Sequence, residues 1–338
     1  MTMRCTFEAT SENEPGQRWQ ALFTHYWPGY RRWFMRDGDR ARPPFLACRR
    51  ALRTHMPELE PTYDKLVELS GGGDLAARFL SQWCPRPYIS GCAQAVWCDT
   101  RRGGAPALVR NYDYAPALLE GAWLATRWHG RRVLAMSDCL WGVLDGINDA
   151  GLAASLSFGG RTVLGEGFGI PLVLRYVLEM ATTTAEAVEI LRRVPVHMSY
   201  NVSIVDRSGA WATVFVAPDR PAEVVPQAAI TNHQHVVEWP AHARATNTEE
   251  RQAVLGRVVD SAEDVEHVIA ALLQPPLLQT GYERGYGTLY TAVYHPTEAT
   301  AELVWKDARW RQSCVKFVEG TRIAVFGSGN PAPTDARS

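Results

Sequence analysis

The hydrophobic pattern of this chain predicts an α+β protein in which two mainly antiparallel sheets pack on each other and helices cover them. Three observations carry that prediction. Alternating and β-branched segments come in runs, from residue 93 to 158, from 200 to 230 and from 288 to 305. Stretches with helical period precede the first run and separate each run from the next. Strands grouped in this way do not alternate one for one with crossover helices, as a parallel βαβ sheet requires. With 46% hydrophobic residues among 338, the chain has ample material for a large core.

Taken in order, residues 17 to 36 carry Trp19, Phe23, Tyr26, Trp27, Tyr30, Trp33 and Phe34 at spacings of three and four, an amphipathic helix interrupted at Pro28-Gly29. Further helices are predicted over 47 to 56 and 61 to 69, the latter ended by Ser70-Gly71-Gly72-Gly73. That glycine run lacks the Lys-Ser/Thr of a phosphate loop and reads as a breaker. After the proline-stiffened Cys84-Pro85-Arg86-Pro87, strands are predicted over 93 to 98, 106 to 113, 122 to 128, 132 to 137 and 151 to 158. Helices follow at 169 to 181, apolar nearly all round, and at 185 to 194, introduced by the capping box Thr183-x-x-Glu186 and stopped by Pro195. Strands at 200 to 206, 211 to 217 and 223 to 230 come next, then a helix from a cap at Ser261, then strands at 288 to 294 and 301 to 305. Residues 327 to 338, rich in Gly, Pro and Ser, read as a disordered tail.

Composition excludes several classes of function. Thirty-five basic against 36 acidic residues, a net charge of -1, give no electrostatic basis for binding nucleic acid or an anionic membrane. The start of the chain has no apolar run behind Arg4, and no stretch approaches the roughly 18 apolar residues of a spanning helix, so a cytoplasmic protein is expected. Seven scattered cysteines with no C-x-x-C pair read as reduced thiols. His233 and His235 would share one face of a strand, but no third ligand lies near them in sequence, so neither metal nor cofactor is expected.

Chemistry concentrates in Ser90-Gly91-Cys92-Ala93-Gln94 and in Arg110-Asn111-Tyr112-Asp113, eighteen residues beyond the cysteine. An arginine favours a thiolate and a carboxylate orients donors around it, which are the parts of a cysteine nucleophile. By themselves the same residues also suit a buried structural cysteine and an ordinary ion pair.

Together with Asp145-Gly-Ile-Asn-Asp-Ala-Gly-Leu152, Tyr200-Asn201-x-x-Ile204-Val205-Asp206-x-x-Gly209 and Ile230-Thr231-Asn232-His233, these motifs resemble the acyl-coenzyme A:6-aminopenicillanic acid acyltransferase family, peptidase family C45. The resemblance runs from about residue 17 to 325 and extends to the choloylglycine hydrolases and penicillin V acylases within the N-terminal-nucleophile hydrolases. It implies a four-layer αββα sandwich and self-cleavage between Gly91 and Cys92. Residues 1 to 91 would then be a helical pro-segment, retained as a chain or released, and 92 to 326 the catalytic domain. The resemblance implies that Asp113 bonds the new amine of Cys92, that Arg110 sits beside the thiolate and that Asn232 donates to the oxyanion. Asn148 would be a second donor, although an Asn in Ile-Asn-Asp-Ala-Gly equally suits a turn. A late arginine is also implied; Arg244, Arg251 and Arg284 compete, and Arg251 is favoured. Asn201 reads as structural.

The activity implied is an amidohydrolase or acyltransferase that forms an acyl-enzyme on Cys92 from a small amide or thioester, acyl-coenzyme A included. Two rivals remain at this level. A papain-type protease would use Cys92, a histidine such as His233 and an Asn, but needs its cysteine at a helix start, where residues 93 to 98 read as a strand. A catalytically inactive protein of the same fold would bind a small ligand in a Trp-rich cleft. The stretch from Gln274 to Arg284, with Pro275-Pro276, is a candidate pocket rim.

Overall fold

The structure is a computed structural model that describes residues 3–98, 104–327 and 334–335. Strand β1 (Met3–Glu12) leads into helices α1 (Gln17–Phe34), α2 (Phe45–His55), α3 (Glu60–Leu69) and α4 (Asp74–Leu80). Strands β2 (Gly91–Trp97), β3 (Ala107–Tyr114), β4 (Ala122–Thr126), β5 (Val133–Asp138), β6 (Gly142–Asn148) and β7 (Ala153–Phe158) follow, then α5 (Ile170–Met180) and α6 (Thr184–Arg193). Strands β8 (Tyr200–Val205), β9 (Trp211–Ala217), β10 (Arg220–Val225) and β11 (Ala229–Ile230) precede α7 (Pro240–Thr246), α8 (Thr248–Ser261) and α9 (Val265–Leu272). The chain ends with β12 (Gly287–His295), β13 (Thr300–Trp305), β14 (Ala308–Ser313), β15 (Gly320–Phe326) and β16 (Thr334–Asp335).

These strands form a large sheet in the order β10-β9-β8-β7-β6-β5-β4-β1-β15-β16 and a smaller one in the order β11-β2-β3-β12-β13-β14. Pairing is antiparallel except between β1 and β4. Period-2 burial explains the layers. Phe7, Trp123, Leu134, Ile147, Tyr112 and Tyr290 point between the sheets and make one core. The opposite face of the large sheet packs on α1 to α6, and that of the small sheet on α8 and α9 through Ala93, Ala95, Val109, Leu255 and Val268. The expected αββα order is therefore the observed one.

The capping box is present, with Thr183 accepting from the Glu186 amide at 3.3 Å. Other elements differ from expectation. The helix expected to break at Pro28-Gly29 runs through, because Trp19, Phe23 and Trp27 stack at 5.4 and 5.2 Å and Trp27 meets Phe79, burial that outweighs one lost backbone bond. Ser261 closes α8 instead of opening a helix, and α9 is capped by Asp264, which accepts from the His267 amide at 2.9 Å.

Residues 1 to 91 are not purely helical. Cys5, Phe7 and Ala9 alternate with polar residues, and β1 lies inside the large sheet, parallel to β4 and antiparallel to β15. In the stretch read as a disordered tail, Thr334 and Asp335 pair with Ile323 and Arg322; residues 328–333 and 336–338 lie outside the described residues.

Candidate active site

The site forms where β2 and β3 run side by side with Cys92 opposite Tyr112 and Gly91 opposite Asp113. Because side chains alternate across a strand, this register puts Cys92, Arg110 and Tyr112 between the sheets and Asp113 on the helix-covered face. The Cys92 thiol is wholly buried, and Arg110 Nη2 donates to its sulfur at 3.0 Å. Burial raises the thiol pKa, while the Arg110 charge opposes the rise and Asp113 adds to it. Ser90 Oγ lies 4.0 Å from the sulfur.

Arg110 is itself held from behind. Its Nη1 donates to the Leu144 carbonyl at 2.6 Å and to Asp145, a carboxylate that also accepts from the Tyr290 hydroxyl at 2.7 Å and from Tyr294. Burial works against the guanidinium charge, but Cys92, Asp145 and Tyr290 outweigh it, so Arg110 stays ionised. Sequence reasoning quoted Asp145 in a motif without giving it this role. The available signal was an acid in the middle of an apolar strand, since a buried arginine requires a buried partner.

The nitrogen of Cys92 is held separately from its sulfur. The Cys92 amide donates to Asn232 Oδ1 at 2.9 Å, and Asn232 Nδ2 donates to the Phe158 carbonyl at 3.2 Å, leaving its second hydrogen unengaged by the described residues. The loop carrying Asn232 is fixed by Thr248 Oγ1, which accepts from the Asn232 amide at 2.8 Å, and by Asn201 Nδ2, which donates to the Thr231 carbonyl at 3.0 Å.

On the other face, the Asp113 carboxylate takes Arg251 on one oxygen and Thr288 Oγ1, at 2.6 Å, on the other. Both members of the ion pair are fully buried. Arg244 and Arg284 are exposed, so of the three competing arginines Arg251 is the one that meets Asp113. The Leu277 carbonyl accepts from Arg251 Nη2 at 2.9 Å and from Asn111 Nδ2 at 3.2 Å, which brings the Gln274 to Arg284 stretch against this side of the site. Tyr286, not anticipated from sequence, presses its hydroxyl against Gly91, and among the described residues that buried oxygen has no hydrogen-bond partner.

Two expectations are corrected. Asn148 is not an oxyanion donor at Cys92: Nδ2 donates to the Leu178 and Ala181 carbonyls at 2.9 and 2.8 Å, and Oδ1 accepts from the Ala150 and Leu152 amides. It closes the β6–β7 turn and the end of α5. The protease alternative also fails on geometry, since Cys92 lies within a strand and His233 Nδ1 pairs with Thr248 Oγ1 at 2.9 Å. His235 pairs with Glu223 at 2.8 Å on the surface. Among the described residues no three His, Cys, Asp or Glu converge as a metal site, and no helix is long and apolar enough to cross a membrane.

The family model for acyl-coenzyme A:6-aminopenicillanic acid acyl-transferase matches residues 100–310, more than half of the chain. The chain belongs to this family. The matched span opens eight residues after Cys92. A comparison with curated proteins finds no match. Among solved structures, penicillin V acylase from Agrobacterium tumefaciens is similar at 15% identity and a TM-score of 0.48, covering 69% of this chain and 90% of that one. The Caenorhabditis elegans ortholog of N-acylethanolamine-hydrolyzing acid amidase is 15% identical at a TM-score of 0.47, covering 65% and 99%. A mutant of the conjugated bile acid hydrolase from Clostridium perfringens is 13% identical at 0.44, covering 68% and 96%.

Proposed function

We propose that this family member cuts itself between Gly91 and Cys92 and then uses Cys92 as an N-terminal nucleophile on a small amide or thioester. The observation that carries the reading is that the sulfur and the nitrogen of one residue are held separately, the sulfur on Arg110 and the nitrogen on Asn232. A nucleophile that must also become its own base needs both atoms fixed.

In the self-cleavage step the Cys92 thiolate adds to the Gly91 carbonyl carbon. The Gly91–Cys92 C–N bond breaks, the nitrogen takes up a proton and leaves as the α-amine, and Gly91 is left as a thioester on sulfur. Water hydrolyses that thioester, giving the Gly91 carboxylate and the free thiol. An α-amine has an ordinary pKa near 8, so part of it is neutral at working pH and accepts the thiol proton in the next cycle. Asn232 remains on that amine through Oδ1 and offers its unengaged N–H to the oxyanion, a donor whose loss typically lowers kcat by about 10²- to 10³-fold. Asp113, fixed by Arg251 and Thr288, orients the amine from the opposite face. The substrate acyl group forms a thioester with Cys92, its leaving group takes the proton, and water or an amine receives the acyl group. Complete burial of the thiol in the continuous chain means that the residues before Cys92 must give way before a substrate can enter.

Intact mass and N-terminal sequencing of the purified protein, beside Cys92→Ala, test the reading. Pieces of 91 and 247 residues, the larger beginning Cys-Ala-Gln-Ala, are expected for the wild type, with the variant uncut. A folded wild type that stays a single 37.6 kDa chain overturns it.

A further inference from the structure

The face of the small sheet that carries Cys92 continues through Tyr112, directly opposite it, to Tyr114, whose ring lies 5.6 Å from that of Tyr112. Tyr114 forms one wall of a cavity of about 370 Å³, within the size range of small-ligand sites. Tyr26, Tyr30, Trp33 and Tyr88 supply further aromatic walls, and Glu120 and Asp138 line it with carboxylates.

Those carboxylates lack a counter-charge. Glu120 is 5% exposed; its Oε1 accepts from the Leu140 amide at 2.8 Å and from Tyr30, while its Oε2 has no partner within full hydrogen-bond distance among the described residues, only the nearby Ser137 hydroxyl easing its charge. Asp138 takes the Tyr30 hydroxyl at 3.3 Å and the Tyr88 hydroxyl at 3.1 Å. Among the described residues no arginine, lysine or histidine is ion-paired with either acid, and Arg32, which also lines the cavity, is exposed. A buried acid with an unpartnered oxygen, beside a second acid and ringed by aromatic faces, is the environment that recognises an organic ammonium ion. Tyr88, four residues before Cys92, already presents an aromatic ring to Trp33 at 6.1 Å and a donor to Asp138.

We propose that this cavity is a binding site for an arylalkyl ammonium group, the end of the substrate that lies beyond the reacting carbonyl. Its place in catalysis rests on the reading of Cys92 as the acyl-accepting nucleophile; binding of the ammonium does not.

The test is calorimetric titration with 2-phenylethylamine against its neutral isostere 2-phenylethanol, on the protein as purified and on full-length Cys92→Ala. The amine is expected to bind at least tenfold more tightly than the alcohol, and Asp138→Asn and Glu120→Gln to abolish that preference while retaining a cooperative thermal transition. Tyr88→Phe, which deletes only a hydroxyl, is expected to tighten the amine severalfold by freeing an Asp138 oxygen. Equal binding of amine and alcohol, or binding of neither, overturns the proposal. Because Cys92→Ala needs no turnover, the result stands apart from the mass measurement: a self-cleaved chain that ignores the amine sinks this site alone, and an uncut chain that binds it sinks the nucleophile alone.

Discussion

A methyl group added at Gly91 would collide with the Tyr286 hydroxyl and meet Asp113 Cβ at 3.3 Å, so the absence of a side chain there lets β2 pass beneath the Tyr286 ring. Gly91→Ala is expected to slow self-cleavage at least tenfold, followed by gel densitometry over time, and Tyr286→Phe in the same chain to recover part of the rate by removing the colliding oxygen. Unchanged processing in the single variant would show that Tyr286 moves freely. Arg251 gives the complementary case. It neutralises a wholly buried Asp113, and Arg251→Met would leave that carboxylate uncompensated at a cost of about 3–5 kcal/mol, measured by urea unfolding. A loss below 1 kcal/mol would mean that water reaches the pair. Cys92, Arg110, Asp113 and Asn232 could be singled out from sequence because their types and order match a known reaction. Asn148 belonged to the same pattern and serves a turn, since one local sequence suits both uses. Asp145 and Thr288 act through pairings between distant strands and Tyr286 through its close approach to Gly91 from just before β12, and spacing along the chain carries no signal for those.

Glu120 ties three elements together, accepting from Tyr30 on α1 and from the Leu140 amide in the β5–β6 turn while standing just before β4. Burial, and then Asp138, push its carboxyl from 4.5 up to about 7. A raised carboxyl pKa means that the folded chain binds more protons than the unfolded one between those values, so stability falls as pH rises through this window and is level above it. Glu179, raised to about 7 by burial on α5, acts in the same direction. Glu120→Gln is expected to flatten the slope of unfolding free energy between pH 5 and 8, by at most about 3 kcal/mol from 1.36 kcal/mol per pKa unit. An unaltered slope would place the titration elsewhere. At α6, Thr183→Ala should cost about 1 kcal/mol through loss of the capping box. Helices with an apolar stripe and such a cap were legible in the sequence. Strand β6 was not, because Asp145 and Gly146 interrupt its alternation, and the residues that rationalise them lie on β3, β5 and β12.

The position of β1 decides what becomes of the molecule after a cut at Gly91. This strand pairs with β15 from Met3 to Ala9 and with β4 from Glu8 to Glu12, so it joins the last described strands to the rest of the large sheet. Cys5, Phe7 and Ala9 enter the core between the sheets, and Phe7 packs edge-on against Tyr290 and Trp305 of the small sheet. The following helices add a second anchor, with Trp19, Phe23, Leu66 and Phe79 in the core that α5 also enters. Release of residues 1 to 91 would therefore open the main-chain edges of β4 and β15 and uncover apolar surface on two layers, both strongly unfavourable in water. Cleavage should break the chain without separating the pieces. They are expected to elute as one particle in native size exclusion and to part only in denaturant, whereas residues 92 to 338 expressed alone should aggregate. A soluble, cooperatively melting fragment free of the smaller piece would show that β1 is dispensable, and would make the segment before Cys92 a detachable plug instead of a permanent part of the sheet.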